Sequence, residues 1–218
     1  MELRAPAPDC PLCPRLAGFR GMQRTAHPEW FNAPVPSFGD DDAELLIVGL
    51  APGLKGANRT GRPFTGDYAG DLLYATLQKL GFATGPYAAR PDDGLTLRRA
   101  RITNAVRCVP PQNKPEPAEI QACRPFLAAE IAALPRLRAV LALGAIAHNS
   151  LLTTLGLRRA AYPFGHGAIH GLRSGLVLAD SYHCSRLNTN TGKLTPAMFE
   201  AVFAALAEYL GKIAVRSG

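Results

Sequence analysis

Leu45-Leu46-Ile47-Val48-Gly49-Leu50-Ala51 is an apolar run closed by Pro52-Gly53. It is short and ends on two turn residues, so it reads as a strand buried on both faces. Residues 52–67 are rich in Gly, Pro, Asn, Thr and Arg and form a loop; Asp71 to Leu80 then carries apolar residues at 72, 73, 77 and 80, a helical spacing. The same order recurs downstream. Arg101-Ile-Thr-Asn-Ala-Val106 is a second strand, stopped by Pro110-Pro111, and 117–134 is a helix that Pro125 should kink or break. Ala139 to Leu143 is a third strand, ended by Gly144 before another helix, and Leu176 to Asp180 is a fourth. Thr195-Pro196 opens the last helix with an N-cap and a proline at the first helical position; Met198, Val202, Leu206 and Tyr209 form its buried stripe. Residues 1–44 are proline-rich without a clear period and read as irregular.

Strand, loop and helix in that order, four times over, predict an α/β fold: one domain over 1–218, with a four-stranded parallel sheet between helices. Ligands of such sheets bind beyond the carboxyl ends of the strands. That rule directs attention to loops 52–67, 107–116 and 181–195, all polar and basic.

Composition narrows the partners. At 47% apolar and 19% charged, the 218 residues are no disordered polyelectrolyte, and five cysteines are too few for a small disulfide scaffold. Twenty-four Lys and Arg against 17 Asp and Glu give +7, which admits a polyanionic partner. The longest uncharged stretch, Ala139 to Leu157, holds His148, Asn149, Ser150, Thr153 and Thr154 and reads as strand plus helix, not a membrane span. The start, Met1-Glu-Leu-Arg-Ala-Pro6, lacks the apolar core of a secretory signal. A cytoplasmic protein with reduced thiols and no membrane partner is expected.

Cys10-Pro-Leu-Cys13 is a Cys-x-x-Cys pair, Cys108 and Cys123 form a wider one, and Cys184 stands apart beside His183. Reduced cysteines in two pairs suggest a metal site; zinc and an iron–sulfur cluster both accept four thiolates, and the wide second pair leans toward the cluster. Either would tie segment 1–44 to the segment after the second strand, in a structural rather than redox role.

The loops themselves are specific. Gly49-Leu-Ala-Pro-Gly53 leads to Asn58-Arg-Thr-Gly-Arg-Pro-Phe-Thr-Gly-Asp67; the second loop reads Thr103-Asn-Ala-Val-Arg-Cys-Val-Pro-Pro-Gln-Asn-Lys114; the third reads Ser181-Tyr-His-Cys-Ser-Arg-Leu-Asn-Thr-Asn-Thr-Gly-Lys193. In order, with four cysteines, these resemble the uracil-DNA glycosylase superfamily, and within it the type B (fifth) family, over nearly the whole chain. The resemblance implies a monofunctional hydrolase for DNA repair. It would flip uracil, and also hypoxanthine, out of single- or double-stranded DNA and leave an abasic site. It further implies a structural 4Fe–4S cluster on Cys10, Cys13, Cys108 and Cys123, and a monomer.

By the same resemblance Phe64 stacks on the flipped base, beside Ala51 of the first motif, and His183 donates to the base carbonyl as negative charge develops there. The first motif, Gly49-Leu50-Ala51-Pro52, lacks the acidic or amide side chain of other branches. Water positioning then moves to Asn113, which orients but is no strong base, and Asp67 holds the water or stabilises positive charge on the sugar. Asp67 is also well placed to cap the following helix. Asn104 stands where several branches carry an amide that reads the uracil edge and some type B chains a small apolar residue, which predicts stronger uracil preference here. Leu187 has the spacing from His183 of the superfamily's apolar wedge, where other type B chains are polar. Arg59, Arg62, Arg107, Lys114, Ser185, Arg186 and Lys193 are candidate phosphate contacts. Gly165-His166-Gly167 also matches the family, without a role.

Three alternatives compete. A type A (fourth family) enzyme would need a Glu that the first motif lacks. A non-catalytic, metal-stabilised DNA-binding module would leave Phe64, Asn113 and His183 as coincidence. An iron–sulfur electron carrier would explain the cysteines and none of the loops.

Overall fold

A computed structural model describes residues 5–214. The elements run α1 (Pro14–Ala26), β1 (Phe38–Gly39), β2 (Leu45–Gly49), α2 (Ala57–Thr60), α3 (Tyr68–Lys79), β3 (Ala83–Thr84), β4 (Thr96–Leu97), β5 (Ala100–Asn104), α4 (Pro117–Ala133), β6 (Ala139–Leu143), α5 (Ala145–Thr154), β7 (Ile169–Gly171), β8 (Val177–Ser181), α6 (Arg186–Asn190) and α7 (Pro196–Ala214). The expected four parallel strands are present as β5-β2-β6-β8, in register Leu45 with Ala100 and Ala139, and Ala139 with Val177. The sheet nonetheless has six strands, because β1 and β7 add antiparallel edges. These edges are two and three residues long, too short to carry a periodic signal.

Alternation along the central strands explains the layers. Leu45, Ile47, Leu141, Leu143 and Ala179 face a core shared with α3 and α7, while Leu46, Val48, Val140, Ala142 and Leu178 face one shared with α4 and α5. Every residue of the four parallel strands is buried; β2 and β6 accordingly read as apolar runs rather than alternating ones, while β5 and β8 also bury Arg101, Thr103, Asn104, Asp180 and Ser181. Thr195 caps α7 as expected, its Oγ1 accepting from the Met198 N–H at 3.2 Å.

Two local expectations are corrected. Segment 1–44 is not irregular throughout: it contains α1, opened by Pro14 and docked through Leu16 and the buried Arg20. And α4 is not broken at Pro125 but runs through it as one helix. Pro125 and Gln121, whose carbonyl it leaves without a helical donor, are both exposed, so the missing helical bond falls on the solvent side and not in the core. Among the described residues, no helix is long and apolar enough to cross a membrane.

Candidate active site

A pocket of about 610 Å³ opens at the carboxyl edge of β2 and β5, where the topology places it. Ala51, Phe64, Asp67, Asn104, Asn113, His183, Ser185 and Arg186 all line it. Three loops that are far apart in sequence thus converge on one cavity.

The first loop is held open by a buried clamp. Arg62 forms a two-pronged pair with Asp93, both bonds at 2.8 Å, and its Nε donates to Thr65 Oγ1 at 2.7 Å. Its guanidinium lies over the rings of Phe38, Tyr74 and Tyr87. The Arg62 hydrogen bonds hold the Asp93 carboxyl well below the usual carboxylate range. Tyr74 Oη donates to the Pro63 carbonyl at 2.6 Å. Between these anchors Phe64 is held at φ +52°, left-handed backbone that a large side chain adopts only when its surroundings impose it.

Phe64 and Asn104 meet over Gly49. A Cβ on that glycine would stand 2.4 Å from Asn104 Oδ1 and 2.7 Å from the tip of the Phe64 ring, so the β2 backbone must be bare there. Asn104 is 3% exposed at the end of β5, and its Oδ1 has no protein partner. A buried amide oxygen without a partner costs roughly 1–3 kcal/mol, a penalty relieved by any ligand that donates to it. His183, at 5.9 Å from the Phe64 ring centre, closes the far side. Burial pushes its imidazole down to about 4, so the ring is neutral at physiological pH and keeps one N–H to donate.

Asp67 fulfils its capping reading and still faces the pocket. Its Oδ1 accepts from the Gly70 N–H at 3.3 Å as the N-cap of α3. Its Oδ2 lies so near Gly56 that a Cβ there would meet it at 2.2 Å. Burial raises the Asp67 carboxyl, opposed by backbone hydrogen bonds from Gly70 and Ala69. Asn113 sits at the exposed rim at φ +57°, directly after Gln112 at +56°, a conformation that Asn tolerates better than most residues.

The remaining candidates divide. Ser185 caps α6, and Arg186 at the pocket wall lies 5.3 Å from the ring centre of Tyr68. Leu187 follows at 72% exposure, free to enter a partner. Arg59, Lys114 and Lys193 are exposed outside the pocket lining, Lys193 above the Tyr182 ring at 4.9 Å. Arg62 and Arg107 are corrected. Arg107 is 1% exposed, bonded to Ser37 Oγ at 2.7 Å and Glu130 Oε2 at 2.9 Å, so neither arginine can reach a phosphate. Tyr68 was not singled out from the sequence; an aromatic at a helix's first position beside a polar loop was its one signal.

Cys10, Cys13, Cys108 and Cys123 line a second, small cavity beneath α1. Arg20 donates to Cys108 Sγ and the Arg107 amide to Cys123 Sγ, both at 3.4 Å. Among the described residues no three His, Cys, Asp or Glu side chains converge as a metal-holding group. Cys184 is separate, fully buried against the Ala69 carbonyl.

Fold and pocket together define an α/β protein with a candidate site at the carboxyl edge of a parallel sheet, lined by an aromatic ring, a buried unpartnered amide oxygen and an imidazole. The model of the uracil DNA glycosylase superfamily matches residues 36–207. A type-5 uracil-DNA glycosylase of Thermus thermophilus is 48% identical, covering 87% of this chain and 89% of the relative. One of Mycobacterium bovis is 42% identical over 96% of this chain and 81% of its own. A type-4 uracil-DNA glycosylase of Pyrobaculum aerophilum is 37% identical, but over 57% of this chain. The chain belongs to the uracil DNA glycosylase superfamily, among its type-5 members.

Proposed function

We propose that this protein is a DNA-repair hydrolase that removes uracil, and also hypoxanthine, from DNA and leaves an abasic site. The observation that carries the reading is the buried, unpartnered Asn104 Oδ1 beside the Phe64 ring in a pocket closed by a neutral histidine. Uracil fits these groups: a flat face for Phe64, an N3–H for Asn104 and a carbonyl for His183. A flipped nucleotide brings all three into the pocket at once.

The reaction follows from the groups present. As the bond between the sugar C1′ and the base nitrogen breaks, its electron pair leaves on the base. The His183 N–H is worth more to that developing charge than to the neutral base, which is what lowers the barrier. The sugar becomes oxocarbenium-like, and the Asp67 carboxylate stabilises its positive charge. Asn113 orients a water toward C1′, and the proton that water sheds as the C1′–O bond forms neutralises the departed base anion; with the sugar so electron-poor, orientation matters more than base strength. Leu187 fills the vacated stack, and Arg59, Lys114, Ser185, Arg186 and Lys193 hold phosphates.

The same proposal assigns a structural 4Fe–4S cluster to Cys10, Cys13, Cys108 and Cys123. The four share one cavity, and N–H groups of Arg20 and Arg107 already point at two of the sulfurs, as suits thiolates. Burial pushes the Cys123 thiol up to about 11, so the free cysteine is protonated and cluster binding would release that proton. A cytoplasmic location and a monomeric state complete the reading.

The test is a duplex with one uracil, incubated with iron-replete protein and treated with alkali. Strand scission at the uracil, with iron and sulfide in the purified protein, is the expected result. An uncut strand would refute the enzyme, and zinc without sulfide would refute the cluster.

A further inference from the structure

His183 has to be aimed, yet it lies beyond the last rung of the sheet. Ala168 and Asp180 pair across β7 and β8, the Asp180 N–H donating to the Ala168 carbonyl at 3.0 Å, and Gly167 donates back to the Asp180 carbonyl at 2.9 Å. Two residues further on, just beyond β8, the Tyr182 N–H points to the same side, where a continuing ladder would supply a carbonyl. The backbone has already turned away there, at Gly167 with φ +78°. The His166 side chain takes the place of the missing carbonyl: its Nδ1 accepts the Tyr182 N–H at 3.1 Å. The imidazole also stacks on the Tyr182 ring, with centroids 5.0 Å apart and planes 20° from parallel.

We propose that His166 is a positioning residue for His183, acting through the Tyr182 amide; the inference rests on the glycosylase reading above. His166 does not line the pocket, so it touches neither base nor sugar. It completes a frame of side-chain hydrogen bonds around the His183 peptide. Ser181 Oγ donates to the Tyr182 carbonyl at 2.9 Å, and Asn188 Nδ2 donates to the His183 carbonyl at 2.8 Å. An Nδ1 that accepts must be unprotonated, so the neutral tautomer carries its hydrogen on Nε2. Burial lowers the His166 imidazole and favours that neutral form. The loop that bears His183 is thereby fixed before DNA arrives, rather than by DNA.

Two variants separate this role from packing. His166→Phe keeps the stacked ring and removes the acceptor; His166→Asn loses the ring but returns an oxygen near the Nδ1 position. The Phe variant should release uracil roughly 10- to 100-fold more slowly in single turnover, the scale of a small misplacement, with DNA affinity within about twofold of wild type. The Asn variant should recover most of that rate. Equal rates for the two variants, high or low, would overturn the proposal. A measurement independent of variant folding is the ¹⁵N–¹⁵N coupling across the hydrogen bond from the Tyr182 amide to His166 Nδ1 in the wild-type protein. Its absence would overturn the proposal as well. Failure of the wild-type protein to release uracil would instead refute the glycosylase reading, leaving the coupling to decide the geometry.

Discussion

His183 sits in a pocket that forbids its charge. With the imidazole neutral from about 4 upward, the rate of base release should show no break near pH 6.5, where an ordinary histidine titrates. It should fall only in acid, as the Asp67 carboxylate, raised by burial, takes up a proton and loses the charge that stabilises the sugar. A pH–rate profile under single turnover checks this, and a break near neutrality would contradict it. Asn104→Ala should reduce uracil release relative to hypoxanthine release by roughly 10- to 100-fold, the worth of one or two buried hydrogen bonds in discrimination. An unchanged rate ratio would remove Asn104 from base reading. These residues were legible in the sequence through the loop motifs and the family they resemble; the fold class alone pointed only to the carboxyl ends of the strands. Arg62 and Arg107 stood in the same loops and misled. Their depth is set by Asp93 and Glu130, partners 31 and 23 positions away that no local pattern announces.

The clamp on the first loop is where an element, rather than a residue, is stabilised. Arg62→Met strands the Asp93 carboxylate in a buried site and should cost about 3–5 kcal/mol of stability, measured by denaturant unfolding. Its effect on the salt dependence of DNA binding should be nil, whereas Arg186→Ala should lower that salt slope by about one. A changed slope in the Arg62 variant would contradict the buried assignment. The pH behaviour has a definite sign. The folded Asp93 pKa lies below its unfolded value of about 3.9, so the stabilisation is full above that value and is lost as pH falls below it. At this scale the sequence was readable in its central strands and blind at the margins. Strands β2 and β6 are apolar runs with turn residues behind them, whereas β5 and β8 mix apolar residues with Arg101, Thr103, Asn104, Asp180 and Ser181. The edges β1 and β7 and the helix α1 are short or weakly apolar, and they form because the finished sheet and the cysteine cavity offer them a surface.

The two ends of the sheet divide the work of the whole molecule. At the amino edge, Glu44 gathers Arg99, Arg136 and Arg138, and those guanidinium groups keep its carboxyl below the usual range. At the carboxyl edge the chain spends that rigidity on a pocket with an unpartnered amide and a left-handed phenylalanine. The cysteine cavity joins α1 to the second loop and to α4, so Cys108→Ser or Cys123→Ser should lower the melting temperature. The fraction that stays folded should keep its pocket; a variant that melts normally and loses activity would contradict a structural role. The reading as a whole stands on base release from DNA by this pocket, and single-turnover incubation with a uracil duplex, with free uracil identified by mass spectrometry, measures it. Free uracil equal to the abasic sites formed is expected from the wild-type protein, with His183→Ala slower by roughly 10²- to 10³-fold. No free uracil from the wild type, or undiminished release by His183→Ala, would contradict it.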